Sequence, residues 1–188
     1  MNSFESLVAT LLRRDGYWVR QSFKVDLTRA DKQAIRRPSS PRWELDLVAY
    51  KAESNNIRIV ECKSYLDSVG VTFQAFDKPH GKHAARYKLF NEPTLRKIVF
   101  ARTVDQLLTS GACRPHPRVE LCLACGKIKN ETDRSQLQKL FTKNRWLLFD
   151  DDWIRRRLRS LASDRYEDDV ATVVAKLLLK EDLQGNKK

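Results

Sequence analysis

Trp43-Glu44-Leu45-Asp46-Leu47-Val48-Ala49-Tyr50 and Ile57-Arg58-Ile59-Val60-Glu61-Cys62-Lys63 are two apolar runs joined by the polar segment Lys51-Ala52-Glu53-Ser54-Asn55-Asn56. The short polar link between two β-forming runs predicts an antiparallel hairpin. Each run carries a carboxylate where a plain core strand would carry another Val or Ile. Side chains alternate across a strand, so Glu61 and Lys63 share a face and Cys62 points away. The same rule puts Glu44 and Asp46 on one face, opposite Leu45, Leu47 and Ala49. Val48, Tyr50 and Ile59 flank the acids on their own side. Pairing the two strands brings Asp46 beside Glu61. Two like charges in an apolar setting repel, and one of them takes up a proton unless a cation lies between them. Hard oxygen donors of this kind favour Mg²⁺ or Mn²⁺. Two carboxylates and a lysine therefore make a compact candidate site for a divalent metal and an activated water.

Asp46, fourteen intervening residues, and Glu61-Cys62-Lys63 resemble the motif of the PD-(D/E)XK nucleases, the restriction-endonuclease-like superfamily. Proline is absent before the aspartate, a position that varies in that superfamily. The text Glu44-Leu45-Asp46-Leu47-Val48 is most similar to the Mrr and archaeal Holliday-junction-resolvase branches, which also carry a glutamate early in the first helix, where Glu5 stands here. The resemblance covers the first half of the chain. It implies an α/β fold with a central mixed sheet flanked by helices, and a metal-dependent endonuclease acting on DNA, duplex or branched. It also implies site roles. Asp46, Glu61 and Lys63 would be catalytic. Asp46, Glu61, the backbone carbonyl of Cys62 and Glu5 would hold Mg²⁺ or Mn²⁺. The alternative is a noncatalytic nucleic-acid-binding or assembly protein that keeps the fold.

Composition agrees with a polyanionic partner. Among 188 residues, 36 are basic and 24 acidic, a net charge of +12, and an excess of this size suits nucleic acid. Ribosomal and membrane-surface proteins are also basic, so charge alone does not name the partner. A hydrophobic share of 41% with 32% charged residues predicts one soluble globular domain over residues 1–188. Within it, 1–130 form the α/β core and 131–188 a mainly helical extension packed on it. The absence of an apolar run long enough to span a bilayer, of a signal-peptide pattern and of a secreted disulfide framework predicts a cytoplasmic protein with reduced thiols. Cutting both strands of a duplex would favour a homodimer.

Working outward, Phe4, Leu7, Val8, Leu11 and Leu12 recur at helical spacing, ended by Gly16. Residues 17–27 read as a strand, and 28–41 as a polar, basic, mobile loop closed by Pro38-Ser39-Ser40-Pro41. A helix is expected from Val71 or Thr72, and another over 83–90. Lys97-Ile98-Val99-Phe100-Ala101 reads as a strand, Thr103 to Thr109 as a short helix, Val119 to Ala124 as a strand, Ser135 to Thr142 as a helix and Trp146 to Phe149 as a last strand. Asp150-Asp151-Asp152 opens a helix that turns basic later, matching the helix dipole. Tyr166, Val170, Val173, Val174, Leu177 and Leu178 mark an amphipathic helix, read as core rather than as a dimer seam.

Several candidates carry two readings. Asn2-Ser3-Phe4-Glu5 resembles a capping box, in which Glu5 needs no metal. Glu44 is either a supporting group or a solvated residue. Lys78, His80, Lys82, His83, Arg86 and Lys88 are either a solvated basic face or phosphate contacts beside the site, with Lys78, Lys82 and Arg86 the nucleic-acid contacts of choice. Gln74 follows the motif as a weaker candidate. Arg155, Arg156, Arg157 and Arg159 contact phosphate or only complement the dipole. Cys113, His116, Cys122 and Cys125 have zinc-like spacing, yet Cys122 and Cys125 sit in a strand that points them to opposite faces, and buried thiols are the alternative.

Overall fold

A computed structural model of the protein describes residues 2–39, 42–77 and 85–185, with side chains through residue 179. The chain opens on α1 (Ser3–Arg14), whose N-terminus is capped by the Asn2 side chain accepting from the Phe4 N–H. Phe4, Val8, Leu11 and Leu12 are buried on one face, as their spacing requires. Strand β1 (Trp18–Val25) follows, then α2 (Arg29–Ala34), β2 (Trp43–Lys51) and β3 (Asn56–Lys63). After the short α3 (Gln74–Asp77), a 3₁₀ turn over Ala85–Tyr87 leads into α4 (Lys88–Asn91), α5 (Pro93–Thr109) and β4 (Arg118–Cys125). The last elements are α6 (Glu131–Asn144), β5 (Leu147–Phe149), α7 (Asp151–Ser163) and α8 (Val170–Gly185).

The five strands form one mixed sheet in the order β1-β2-β3-β4-β5. The expected hairpin is present: β2 and β3 pair antiparallel with Leu47 opposite Val60 and Tyr50 opposite Ile57. β3 and β4 pair in parallel, as do β4 and β5, so β3 is the central strand where the two pairing modes meet. Helices α4, α5 and α6 cover one face with Leu89, Phe90, Leu95, Val99, Leu107, Leu137 and Phe141. Helices α1, α7 and α8 cover the other with Val8, Leu12, Ile154, Leu161 and Ala175. A fully buried side chain such as Phe141 or Leu12 stabilises this three-layer arrangement by roughly 1.5–3 kcal/mol. Residues 131–149 thus add a helix and the fifth strand to the sheet, and α7 and α8 close its second face.

Three expected elements differ. Residues 97–101 are not a strand; they lie inside the 17-residue α5, together with the helix expected over 103–109. The β-forming run is overridden because Leu95, Val99, Thr103 and Leu107 fall on one helical stripe and are buried there, with Pro93 preset for the first turn. The loop expected over 28–41 contains α2, held by a capping box in which Thr28 accepts from the Asp31 N–H and Asp31 accepts from the Thr28 N–H. Arg102 of α5 clamps Asp31 at 2.7 Å and, with the Thr28 bonds, holds its carboxyl down to about 2. The helix expected from Val71 or Thr72 also starts later, since Val71 bridges to Ile128 and α3 begins at Gln74.

The stripe on α8 is turned outward rather than into the core. Val170, Leu177 and Leu178 are exposed, and Ala171, Thr172, Ala175 and Leu179 make the inward contacts. Among the described residues no helix is long and apolar enough to cross a membrane.

Candidate active site

The site forms at the carboxyl end of β3, where that strand lies between β2 and β4. The Lys63 carbonyl accepts from the Gly126 N–H at 3.0 Å, which ties β3 to the end of β4. A side chain at 126 would put its Cβ 2.3 Å from the Ser64 carbonyl oxygen, so only glycine lets the two chain ends approach this closely. On the other side, the β2–β3 ladder stops at Leu47 opposite Val60. The next bonded position would pair Leu45 with Cys62. There the Asp46 carboxylate takes over, its Oδ2 accepting from the Cys62 N–H at 2.7 Å. By strand alternation the Cys62 carbonyl faces the same gap as its N–H. The Asp46 carboxylate and the Cys62 carbonyl therefore share the gap where the ladder ends, and Asp46 lies near enough to Glu61 for the two charges to repel.

The expectation that Glu44 and Asp46 share a face opposite both Leu45 and Leu47 does not hold. Leu45 packs with Val48 and Tyr50 in the cluster under α5 and α6, while Leu47 and Ala49 pack in the cluster under α1. β2 turns over between Leu45 and Leu47, and Asp46 sits at the turn with its side chain directed at β3. Glu44 is left exposed.

Electrostatics make the group asymmetric. Lys63 Nζ donates to Glu61 Oε1 at 2.6 Å, with both side chains about one-fifth exposed, 19% and 20%. Burial pushes the Glu61 carboxyl above its ordinary range; Lys63 opposes the shift and Asp46 adds to it. Burial works against the Lys63 charge, yet Glu61 and Asp46 outweigh it and hold the ammonium above its ordinary range. Glu5, half-buried on α1, is raised first by burial and then by repulsion from Asp46, with Lys63 acting in the opposite sense. Cys62, buried and facing these acids, is pushed up and is no thiolate.

Glu5 belongs to this group and not to a capping box. Asn2 accepts from Phe4, and among the described residues no bond returns from Glu5 to the Asn2 N–H. An acid raised in the fold binds its proton more tightly folded than unfolded, so its contribution to stability falls as pH rises from about 4.5 through the folded value. Glu5→Gln is accordingly expected to melt above wild type at pH 8, with the gap closing below pH about 4.5. Melting curves at both pH values check this.

Among the described side chains three carboxylates, Glu5, Asp46 and Glu61, face one ammonium, Lys63, and even with the N-terminal amine that also lowers Glu5 the acids are in excess, a charge that a divalent cation would offset. Asp46 and Glu61 each commit one oxygen in the bonds above and keep a second, and the donors are hard oxygens. In kind and in charge the set fits Mg²⁺ or Mn²⁺. The donors are not drawn in around one point: among the described residues no three His, Cys, Asp or Glu side chains are grouped closely enough to hold a metal ion.

The other sequence candidates are scattered. Arg86 is exposed and its guanidinium donates to the Tyr65 hydroxyl at 3.4 Å, two residues beyond Lys63. Lys78, His80, Lys82 and His83 lie outside the described residues. Gln74 is exposed at the start of α3. Arg155 pairs with Asp151 and Asp152, and Arg157 pairs with Asp15 over the Trp153 ring. Arg156 and Arg159 are exposed on α7. The zinc-like set is not assembled: Cys122 is buried in the cluster under α1, Cys125 in the opposite one, Cys113 is half-buried and His116 is exposed. Sequence reasoning missed Tyr65 and Ser22, both on left-handed backbone, φ +44° and +49°. No sequence pattern announces that conformation in a tyrosine or serine.

Compared with known proteins, the chain matches no family model, no curated protein and no solved structure.

Proposed function

We propose that this protein is a metal-dependent nuclease of the PD-(D/E)XK type, hydrolysing phosphodiester bonds, in DNA first of all, duplex or branched. The observation that carries this reading is the Asp46 carboxylate seated on the Cys62 amide at 2.7 Å, beside a half-buried Glu61–Lys63 pair at 2.6 Å. Charged groups are costly among apolar strands, and a purely structural hairpin has no use for them there. Asp46, Glu61 and the Cys62 carbonyl would hold Mg²⁺ or Mn²⁺, with Glu5 at the margin. A divalent cation there supplies charge that acidifies water and offsets the charge of the phosphate. Lys63 stays protonated through neutral pH and stabilises the negative charge that develops on the phosphate oxygens. Glu61 holds that ammonium in place, and Glu5 orients water at the edge of the group.

The alternative, a noncatalytic nucleic-acid-binding protein on the same scaffold, is favoured by one observation: no three-ligand cage stands ready among the described residues. Cleavage assays on plasmid and branched DNA with Mg²⁺, Mn²⁺ or chelator separate the two, with RNA as a further arm. Metal-dependent, chelator-sensitive cutting is expected; intact substrate under every condition favours the alternative. Cutting both strands takes two copies of the site, and sedimentation with and without duplex reads whether the copies associate.

Both readings require phosphate contact. If Lys78, Lys82 and Arg86 neutralise three phosphates, affinity for duplex is expected to fall about 40-fold between 50 and 200 mM salt. A flat salt profile removes nucleic acid as the partner.

A further inference from the structure

The turn-over of β2 at Asp46 is shared by its neighbour. β1 and β2 pair from Trp18 opposite Tyr50 to Val25 opposite Trp43 with no insertion on either strand, and a single pair is left out, Ser22 and Asp46. On β1, Val19 packs against the cluster under α1 and Phe23, four residues on, lies in the opposite cluster. On a regular strand residues four apart share a face. The Arg20 guanidinium stands 5.2 Å from the centre of the Phe23 ring, a contact that residues three apart on a regular strand do not make. Both strands therefore rotate by about half a turn at the same level, and on β1 the rotation is taken up at Ser22, φ +49°.

The consequence for Asp46 is direct. Side chains of a regular strand stand roughly perpendicular to the sheet and cannot reach the hydrogen-bonding gap between strands. The Asp46 carboxylate does reach it, to meet the Cys62 N–H at 2.7 Å. A β2 that kept regular pairing with β1 would send Asp46 to one face or the other.

We infer that Ser22 is a positioning residue, whose left-handed backbone lets β1 follow β2 through the half turn that directs the Asp46 carboxylate onto the Cys62 amide and into the metal-binding group. This rests on the reading of Asp46 as a metal ligand given above. The backbone of Ser22 carries the role, not its hydroxyl, which is exposed and makes no hydrogen bond among the described residues. Glycine takes the conformation freely, and a β-branched side chain takes it least readily.

The test reads the Cys62 amide proton by NMR on the full chain. Its resonance is expected well downfield in wild type, as for an amide donating to a carboxylate, and Asp46→Ala marks the released position. Ser22→Gly is expected to keep the wild-type resonance and melt no lower than wild type. Ser22→Val is expected to move the Cys62 resonance most of the way to the Asp46→Ala position, leave the Ile57 and Arg58 amides in place, and cut nucleic acid about 10²-fold more slowly. If Ser22→Val does not fold, Ser22→Thr reads the same signal. A folded Ser22→Val or Ser22→Thr with Cys62 unmoved, or a Ser22→Gly that loses the signal, overturns the inference. Because the amide signal needs no cleavage, a wild type that never cuts removes the nuclease reading alone, and the Cys62 resonance still decides whether Ser22 directs Asp46.

Discussion

Lys63→Ala is expected to lower metal-dependent cleavage of plasmid DNA by at least about 10²–10³-fold, the size of effect seen when one donor to a developing oxyanion is removed. Lys63 is the only cation in contact with Glu61 among the described residues, at 2.6 Å. Its loss removes both the charge that faces the phosphate and the partner that keeps a half-buried carboxylate ionised. Glu61, already raised by burial, then rises further. The sign of the stability effect follows. An acid raised in the fold holds more protons folded than unfolded, so stability falls as pH climbs from the ordinary carboxylate range through the folded value. Lys63→Ala is thus expected to melt below wild type at pH 8, with the gap closing as pH falls below the ordinary carboxylate value of about 4.5. Lys63→Arg should restore the melting curve through its charge and leave cleavage impaired, because a planar fork does not present its charge where an ammonium does. Single-turnover cleavage and melting curves on the three proteins read both effects. A Lys63→Ala protein that cuts like wild type ends the nuclease proposal.

What the sequence made legible was what depends on a regular period. The hairpin over Trp43–Lys51 and Asn56–Lys63 was readable because two β-forming runs flank a polar link, although its register ends at Leu47 opposite Val60, one pair short of Asp46 and Glu61. Helix α1 was readable from five apolar residues at helical spacing. Reading failed where a short run spoke against a longer one. Ile98, Val99 and Phe100 are strong strand formers over three positions, and the stripe of Leu95, Val99, Thr103 and Leu107 shows only over more than three helical turns. Thr28 and Asp31 stand in a capping pattern that the surrounding basic residues hid. At the site, the identity of the acids was legible and their direction was not. Alternation assumes a strand that keeps its face, and β2 does not. The turn-over at Asp46 depends on the backbone of Ser22, on another strand and 24 residues earlier in the chain, which no local pattern encodes. The outward stripe on α8 fails for a related reason: spacing shows that Val170, Val174, Leu177 and Leu178 share a side of the helix, and only the packing of Ala171 and Ala175 shows which side faces in.

Asp46 separates charge from architecture more sharply than any other position. Its carboxylate has two duties in one side chain: Oδ2 accepts from the Cys62 N–H where the β2–β3 ladder ends, and the remaining oxygen is the proposed metal donor. Asp46→Asn keeps a carbonyl oxygen that can accept from Cys62 and removes the charge. Asp46→Ala removes both, leaving a buried N–H with no partner, a loss of about 1–3 kcal/mol. Cleavage is therefore expected to vanish in both variants, at least about 10³-fold below wild type for a lost charged ligand to a catalytic cation. Stability is expected to divide them, with Asp46→Asn melting close to wild type and Asp46→Ala lower by several degrees, about 2–4 °C for each kcal/mol in a domain of this size. Mn²⁺ titration by calorimetry adds a readout that needs no substrate: both variants should lose the binding isotherm that wild type shows. A purely structural Asp46 would give the opposite division, with Asp46→Asn retaining full cleavage and Mn²⁺ binding, and the carboxylate would then be only a strand cap that happens to lie beside an ion pair.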